Sequence, residues 1–272
     1  MPHIGSERRG AEDAVRLAFF GGVYSNSRAL AEAVRDSRQW GAEALYALGD
    51  LGAFGPHPDR VFPILLDAGI QVIQGNYEES LSTDALDCHC GYTDPRDNHF
   101  AQISYDYTRA HTSPEWKRWM ATLPKTRRLE VAGRSVLLVH GSPRKINEFL
   151  WESTSPVPFL ERLLAEWGAD VLVCTHTGLH WKRKLPSGRL VVNCGALGRP
   201  ANDGRTNVWY ARLSFGCDVN VEFAPIEYDY EAMAREMDEE GLPGEFIDTI
   251  RTGWWTTCLE ILPAKERNRG RH

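Results

Sequence analysis

Five short apolar runs in this chain each stop at a short polar word of two to five residues, and this arrangement restricts the available folds more than any other feature. Val15–Phe20 runs into Gly22–Asn26, Ala44–Leu48 into Gly49-Asp50 and Ile70–Gln74 into Gly75-Asn76. Further on, Ser135–Val139 runs into His140-Gly141 and Val171–Cys174 into Thr175–Gly178. Apolar runs this short, bounded by turn formers, read as buried strands. Between the first three lie two helical patterns. Ser27–Ser37 carries Leu30, Ala31 and Val34 at helical spacing, with Ser25, Asn26 or Ser27 available as a cap, and Asp59–Ala68 forms the second. Strand–helix–strand–helix–strand alternation predicts a parallel α/β sheet. In such a sheet, ligands gather outside the carboxyl ends of the strands, so the polar stops should converge on one edge.

The segment from 77 to 124 is polar, aromatic and helix-prone at 98–110 and 113–122, and reads as an excursion from the sheet. Arg128–Val131 and Ser135–Val139 form a hairpin around Ala132-Gly133. Phe159–Trp167 is a helix. Arg189–Asn193, Asn207–Leu213 and Val219–Phe223 alternate like antiparallel strands, and Tyr230–Glu239 and Pro243–Arg251 are closing helices. No Pro/Gly/Ser-rich linker divides the chain. The expected organisation is a flexible N-terminus over 1–14, one domain over 15–228 with its excursion at about 77–124, and a helical extension with a basic tail over 229–272.

With 42% hydrophobic and 25% charged residues, the 272-residue chain has ordinary globular composition. Its net charge of −6 argues against a nucleic-acid partner, which favours a basic face. No apolar stretch is long enough to span a bilayer, and Met1–Asp13 lacks the apolar core of a signal peptide. Six cysteines are too sparse for a disulfide framework, and several sit in apolar runs, so the expected location is the reducing cytoplasm. Cys88-His89-Cys90 is a candidate for a soft metal or a redox pair. Trp254-Trp255 reads as a core or homodimer contact.

The polar stops include one carboxylate, one amide and two imidazoles: Asp50, Asn76, His140 and His176. Singly, each has a plain explanation as a turn former, a cap or a hydrogen-bonded structural histidine. Together, at successive strand ends, they form a mixed oxygen and nitrogen donor set. Such a set suits divalent manganese, iron or zinc better than calcium.

The local words carry a resemblance. Leu48-Gly49-Asp50-Leu51-Gly52, Gly55-Pro56-His57-Pro58, Gly75-Asn76-Tyr77-Glu78, Val139-His140-Gly141-Ser142-Pro143 and Asn193-Cys194-Gly195-Ala196-Leu197-Gly198-Arg199-Pro200 resemble, in order, the calcineurin-like metallophosphoesterases, especially their small bacterial and archaeal phosphodiesterase-like branch. The resemblance covers about Val15 to Arg212. It implies a four-layer α-β-β-α sandwich of two mixed sheets flanked by helices, and hydrolysis of a phosphomonoester or phosphodiester. Two words depart from the family. Gly22-Val23-Tyr24 stands where the family has Asp-x-His, and Thr175-His176-Thr177-Gly178 where it has Gly-His-x-His. In the family the three missing ligands serve one ion, whereas Asp50, Asn76, His140 and His176 match the ligands of the other.

The resemblance therefore implies a reduced site with one divalent ion per chain and a small phosphorylated substrate. Tyr77 stands where the family often has His or Cys, and its ordinary pKa of about 10 makes it a weaker general acid. Glu78 takes the place of an acidic residue behind the ligands. Arg144 and Arg199 are candidates to hold phosphate oxygens in place of the missing ion. The other expectation is a non-catalytic relative that binds a nucleotide or a protein partner in the inherited cleft.

Overall fold

The computed structural model describes residues 14–268; the N-terminal 13 residues and the last four of the basic tail lie outside the described residues. The first sheet contains β1 (Val15–Phe20), β2 (Ala44–Ala47) and β3 (Gln71–Val72), which run parallel. They are linked by α1 (Ser27–Trp40), then a 3-10 turn at Pro58–Arg60 and α2 (Val61–Asp67). Three helices follow, α3 (Asn76–Ser82), α4 (Pro95–His111) and α5 (Pro114–Met120).

The second sheet begins with the hairpin β4 (Thr126–Val131) and β5 (Arg134–Val139). After α6 (Val157–Glu166) come β6 (Val171–Cys174), β7 (His180–Lys184) and β8 (Leu190–Cys194). The chain then returns to the first sheet with β9 (Val208–Phe215) and β10 (Val219–Ile226), and finishes in α7 (Tyr230–Glu239), α8 (Gly244–Thr252) and α9 (Ala264–Arg267).

The strand orders are β10-β9-β1-β2-β3 and β4-β5-β6-β8-β7. A single parallel sheet is therefore corrected to two mixed sheets, as the family resemblance implied. Each sheet keeps a three-stranded parallel centre, β1-β2-β3 in one and β5-β6-β8 in the other. The strand at 190–194, expected to be antiparallel, pairs parallel with β6 and antiparallel only with β7.

Side chains alternate across each strand. Val15, Leu17, Phe19, Tyr46 and Leu48 of the first sheet share one core cluster with Val136, Leu138, Val171, Val173, Val192 and Cys194 of the second. The intervening residues face outward to helices. Ala18, Phe20, Leu45 and Ala47 pack with residues of α1, α2, α7 and α8, and Leu137, Val139, Leu172 and Val191 pack against α6. Strands buried on both faces read as unbroken apolar runs, which is why they stand out in the sequence.

The helices after 76 belong to this core. Leu81, Phe100, Tyr105 and Met120 are buried in the same cluster as Met237 and Phe246. Trp255 is buried with Trp151, Leu179 and Leu262.

Candidate metal centre

At one end of the sandwich the two parallel centres are joined. Gly22 bridges Ala196, and the Gly198 N–H donates to Gly22 O at 2.9 Å. Asp50 follows β2, Asn76 follows β3, His140 follows β5 and His176 follows β6, so their four stops open onto the same edge.

Asp50 and His176 both have left-handed backbones, with φ of 53° and 69°. Such a conformation is costly for a non-glycine residue and persists only where its surroundings enforce it. At Asp50 the enforcement comes from Glu78. Its buried carboxylate accepts the N–H groups of Asp50, Leu51 and Gly75, all at 2.8 Å. One side chain thereby ties together the loops after β2 and β3. The two loops also pack backbone on backbone, since a Cβ on Gly49 would lie 2.3 Å from the nitrogen of Gly75.

The imidazoles are oriented by carbonyls. His140 Nδ1 lies 2.6 Å from Leu48 O, and His176 Nε2 lies 3.1 Å from Cys90 O. A carbonyl only accepts, so these two nitrogens carry the protons. The opposite nitrogens, His140 Nε2 and His176 Nδ1, face each other at 3.0 Å, and His140 Nε2 lies 3.3 Å from Asp50 Oδ2. Ligand atoms of all three residues lie within 4.8 Å of one another. Two inward lone pairs at this separation repel unless a proton or a metal cation sits between them.

Burial lowers the His140 pKa, but the charge and hydrogen bond of Asp50, with the Leu48 carbonyl and Glu78, together raise it overall. Burial, reinforced by His140, pulls His176 down to about 3. Burial would raise Asp50, yet its two histidine neighbours hold it below the ordinary carboxylate value.

Asn76 adds a further donor. Its Nδ2 donates to Cys88 O at 2.8 Å and approaches Cys90 Sγ at 3.4 Å, which fixes the amide. Its Oδ1 is buried without a hydrogen-bond partner. A buried carbonyl left unsatisfied in this way is rare, and a bound cation would account for it. The Asp50 carboxylate and the inward nitrogens of His140 and His176 are thus placed so that they could hold a metal ion, and the chemistry of this donor set suits a divalent one.

A cavity of about 50 Å³ adjoins the cluster, lined by Asp50, His176, Tyr24, Tyr77, Arg199 and Cys258 among others. Tyr77 shares a hydrogen bond with Ser104 at 3.0 Å, and burial pushes its phenol well above the usual value. Arg199 is buried, with its guanidinium over the rings of Trp255 (3.9 Å) and Phe54 (4.9 Å). Its Nη2 donates to Thr257 O at 2.9 Å, whereas its Nε is buried without a partner.

Arg144 is elsewhere. Its half-exposed guanidinium pairs with Glu148 and lies over Phe159, and it does not line this cavity. The structure gives that side chain a surface carboxylate partner rather than the anion-binding role expected for it.

Cys88 and Cys90 are joined by a disulfide, so they do not present two thiolates to a soft metal. Their contribution to the site is made instead through backbone carbonyls, to Asn76 and His176. Sequence reasoning gave no role to Tyr24, to the Cys90 carbonyl or to Cys258. For Tyr24 a signal was present, because it lies in one of the two words that depart from the family.

The molecule is thus a two-sheet α/β sandwich with an aspartate and two histidines, placed so that they could hold a metal ion, at the carboxyl ends of its parallel strands. A model of the calcineurin-like phosphoesterase superfamily domain matches residues 16–215, and the chain belongs to that superfamily. It is similar to an uncharacterized protein of Methanocaldococcus jannaschii, 21% identical over 242 residues, spanning 84% of this chain and 93% of the relative.

Among solved structures it resembles a hypothetical protein of Pyrococcus horikoshii, 20% identical with a TM-score of 0.75. It also resembles a metallophosphoesterase of Sphaerobacter thermophilus, 22% identical with a TM-score of 0.67. Each comparison covers 89% of this chain and 100% of the other, and at these identities each speaks for the fold.

No described helix is long and apolar enough to cross a membrane.

Proposed function

We propose that this protein is a phosphoesterase that hydrolyses a small phosphomonoester or phosphodiester with one divalent ion, manganese, iron or zinc. The observation that carries this reading is the pair of inward imidazole nitrogens beside Asp50, each fixed by a carbonyl behind it. Asp50, the Asn76 carbonyl oxygen, His140 Nε2 and His176 Nδ1 would hold the ion. When bound, the ion supplies Lewis-acid polarisation of a phosphoryl oxygen and lowers the pKa of a nearby water.

The chain's own groups do the rest. Arg199 has a buried guanidinium with one N–H unspent and binds phosphate oxygens. Tyr77 stays protonated in its buried setting and donates a hydrogen bond to the substrate, with Ser104 fixing its hydroxyl. Phe54, Phe100 and Phe246 line the same cavity and keep bulk water from the reacting group.

The test is turnover of generic phosphomonoesters and phosphodiesters by purified protein supplied in turn with manganese, iron, zinc, cobalt and nickel. Turnover that is abolished by chelator is expected. Silence with every metal overturns the reading. The small volume of the cavity favours a second reading, a non-catalytic module that binds a nucleotide or a protein partner. Ligand binding without turnover, and indifferent to chelator, is its signature.

A further inference from the structure

We propose that the Tyr24 ring fills the ground a second cation would need, that position 22 is glycine because of that ring, and that Tyr24 and Arg199 form a fixed, metal-free wall facing Asp50. This rests on the one-ion reading above and explains what enforces it.

Gly22 does not use the left-handed backbone that would require glycine. Its own conformation therefore admits any residue. What excludes a side chain is its neighbour. A Cβ at position 22 would lie 2.4 Å from Cε1 and 2.8 Å from Cζ of Tyr24.

The ring has little freedom to yield at its root. A Cβ on Gly198 would lie 2.6 Å from the Tyr24 Cβ, and Gly198 is itself tied to Gly22 by a hydrogen bond of 2.9 Å. A Cβ on Gly55 would lie 2.5 Å from the Tyr24 carbonyl oxygen. Gly198 and Gly55 thus hold the backbone and Cβ of Tyr24, and of the three glycines only Gly22 meets the ring. The tyrosine in turn is anchored to the metal loop, its N–H donating to Asp50 O at 3.0 Å.

The composition of the wall also disfavours a cation. Tyr24 and Arg199 line the cavity together with Asp50. A phenol with an ordinary pKa of about 10 offers no negative charge at neutral pH. Arg199 supplies a permanent positive charge that repels a second ion. Among the described residues, Asp50, His140 and His176 are the one group of three His, Cys, Asp or Glu side chains placed to share a metal. The wall suits an anionic oxygen of the substrate, met by a guanidinium and a phenol.

Metal analysis of the intact protein tests the proposal. One ion per chain is expected in the wild type and in Tyr24→Phe, which keeps the ring. The double variant Gly22→Asp/Tyr24→His removes the ring and supplies two ligand side chains, and two ions are expected. Two ions in the wild type, or still one in a double variant with a native circular dichroism spectrum, overturns the proposal.

A thermal cycle gives an answer that needs neither metal nor the double variant. Gly22→Ala should lower Tm by about 5 °C when Tyr24 is present, the effect of overpacking a tight contact. In a Tyr24→Ala background it should cost almost nothing. Equal losses in both backgrounds overturn the proposal. A wild type that binds no ion while the cycle shows coupling defeats the one-ion reading and leaves the assignment of Gly22 to Tyr24 standing.

Discussion

Asn76 spends both of its amide protons on the loop at 88–90 and leaves its carbonyl oxygen buried and unsatisfied. On the one-ion reading that oxygen is a ligand. Asn76→Ala should weaken zinc or manganese binding by about 100-fold, read by calorimetry, since even residues behind a metal ligand are worth about 10–100-fold. Arg199→Met should weaken competitive inhibition by inorganic phosphate by about 10–100-fold, the worth of a charge-assisted hydrogen bond at about 1.5–3 kcal/mol. Arg144→Ala should leave that inhibition unchanged, because the Arg144 guanidinium is held by Glu148. At this scale the cluster of Asp50, His140 and His176 was legible because each ends an apolar strand. Which of the two arginines reaches the cavity was not, because both follow strand-end words and only packing separates them.

Among the elements, α3 does the most for the site. Its third residue, Glu78, binds three N–H groups drawn from two loops. Glu78→Ala strands these buried donors. A cost of about 3 kcal/mol or more is expected from their unmet hydrogen bonds, a fall in Tm of about 10 °C in a thermal melt. Glu78→Gln can still accept and should recover part of the loss.

The sequence reading took Gly75-Asn76 as a strand stop and passed over the helix that starts there. A helix of seven residues shows too little periodicity to be read. β7 was also passed over. Its exposed positions carry Lys182 and Lys184, the charge pattern of an edge strand, which hides the apolar alternation.

For the molecule as a whole, the centre lies where two separately built halves meet. Asp50 and Asn76 come from the first sheet, His140 and His176 from the second. An ion held by all four would crosslink the sheets and stabilise the native state in proportion to its saturation. At 100 times its Kd a ligand contributes about 2.7 kcal/mol, so removing the metal with a chelator should lower Tm by about 7 °C. A chelator that leaves Tm unmoved in protein carrying metal would remove the centre from this part of the fold.

Legible in the chain alone were the strands other than β7 and the candidate residues that end them. These are local properties: an apolar run long enough to be buried, a glycine that ends it, and the side chain that follows. The family words anticipated two sheets, but it took the packed chain to settle which strands share a sheet, that β8 runs parallel to β6, and that helices from 76 onward and the segment around Thr257 and Cys258 wall the cavity. These depend on which apolar face meets which, and that choice is made between segments far apart in the chain. The match between Gly22 and the ring of Tyr24 is of the same kind: the two are close in sequence, but Gly198 and Gly55, from distant segments, pack against the backbone that carries the ring.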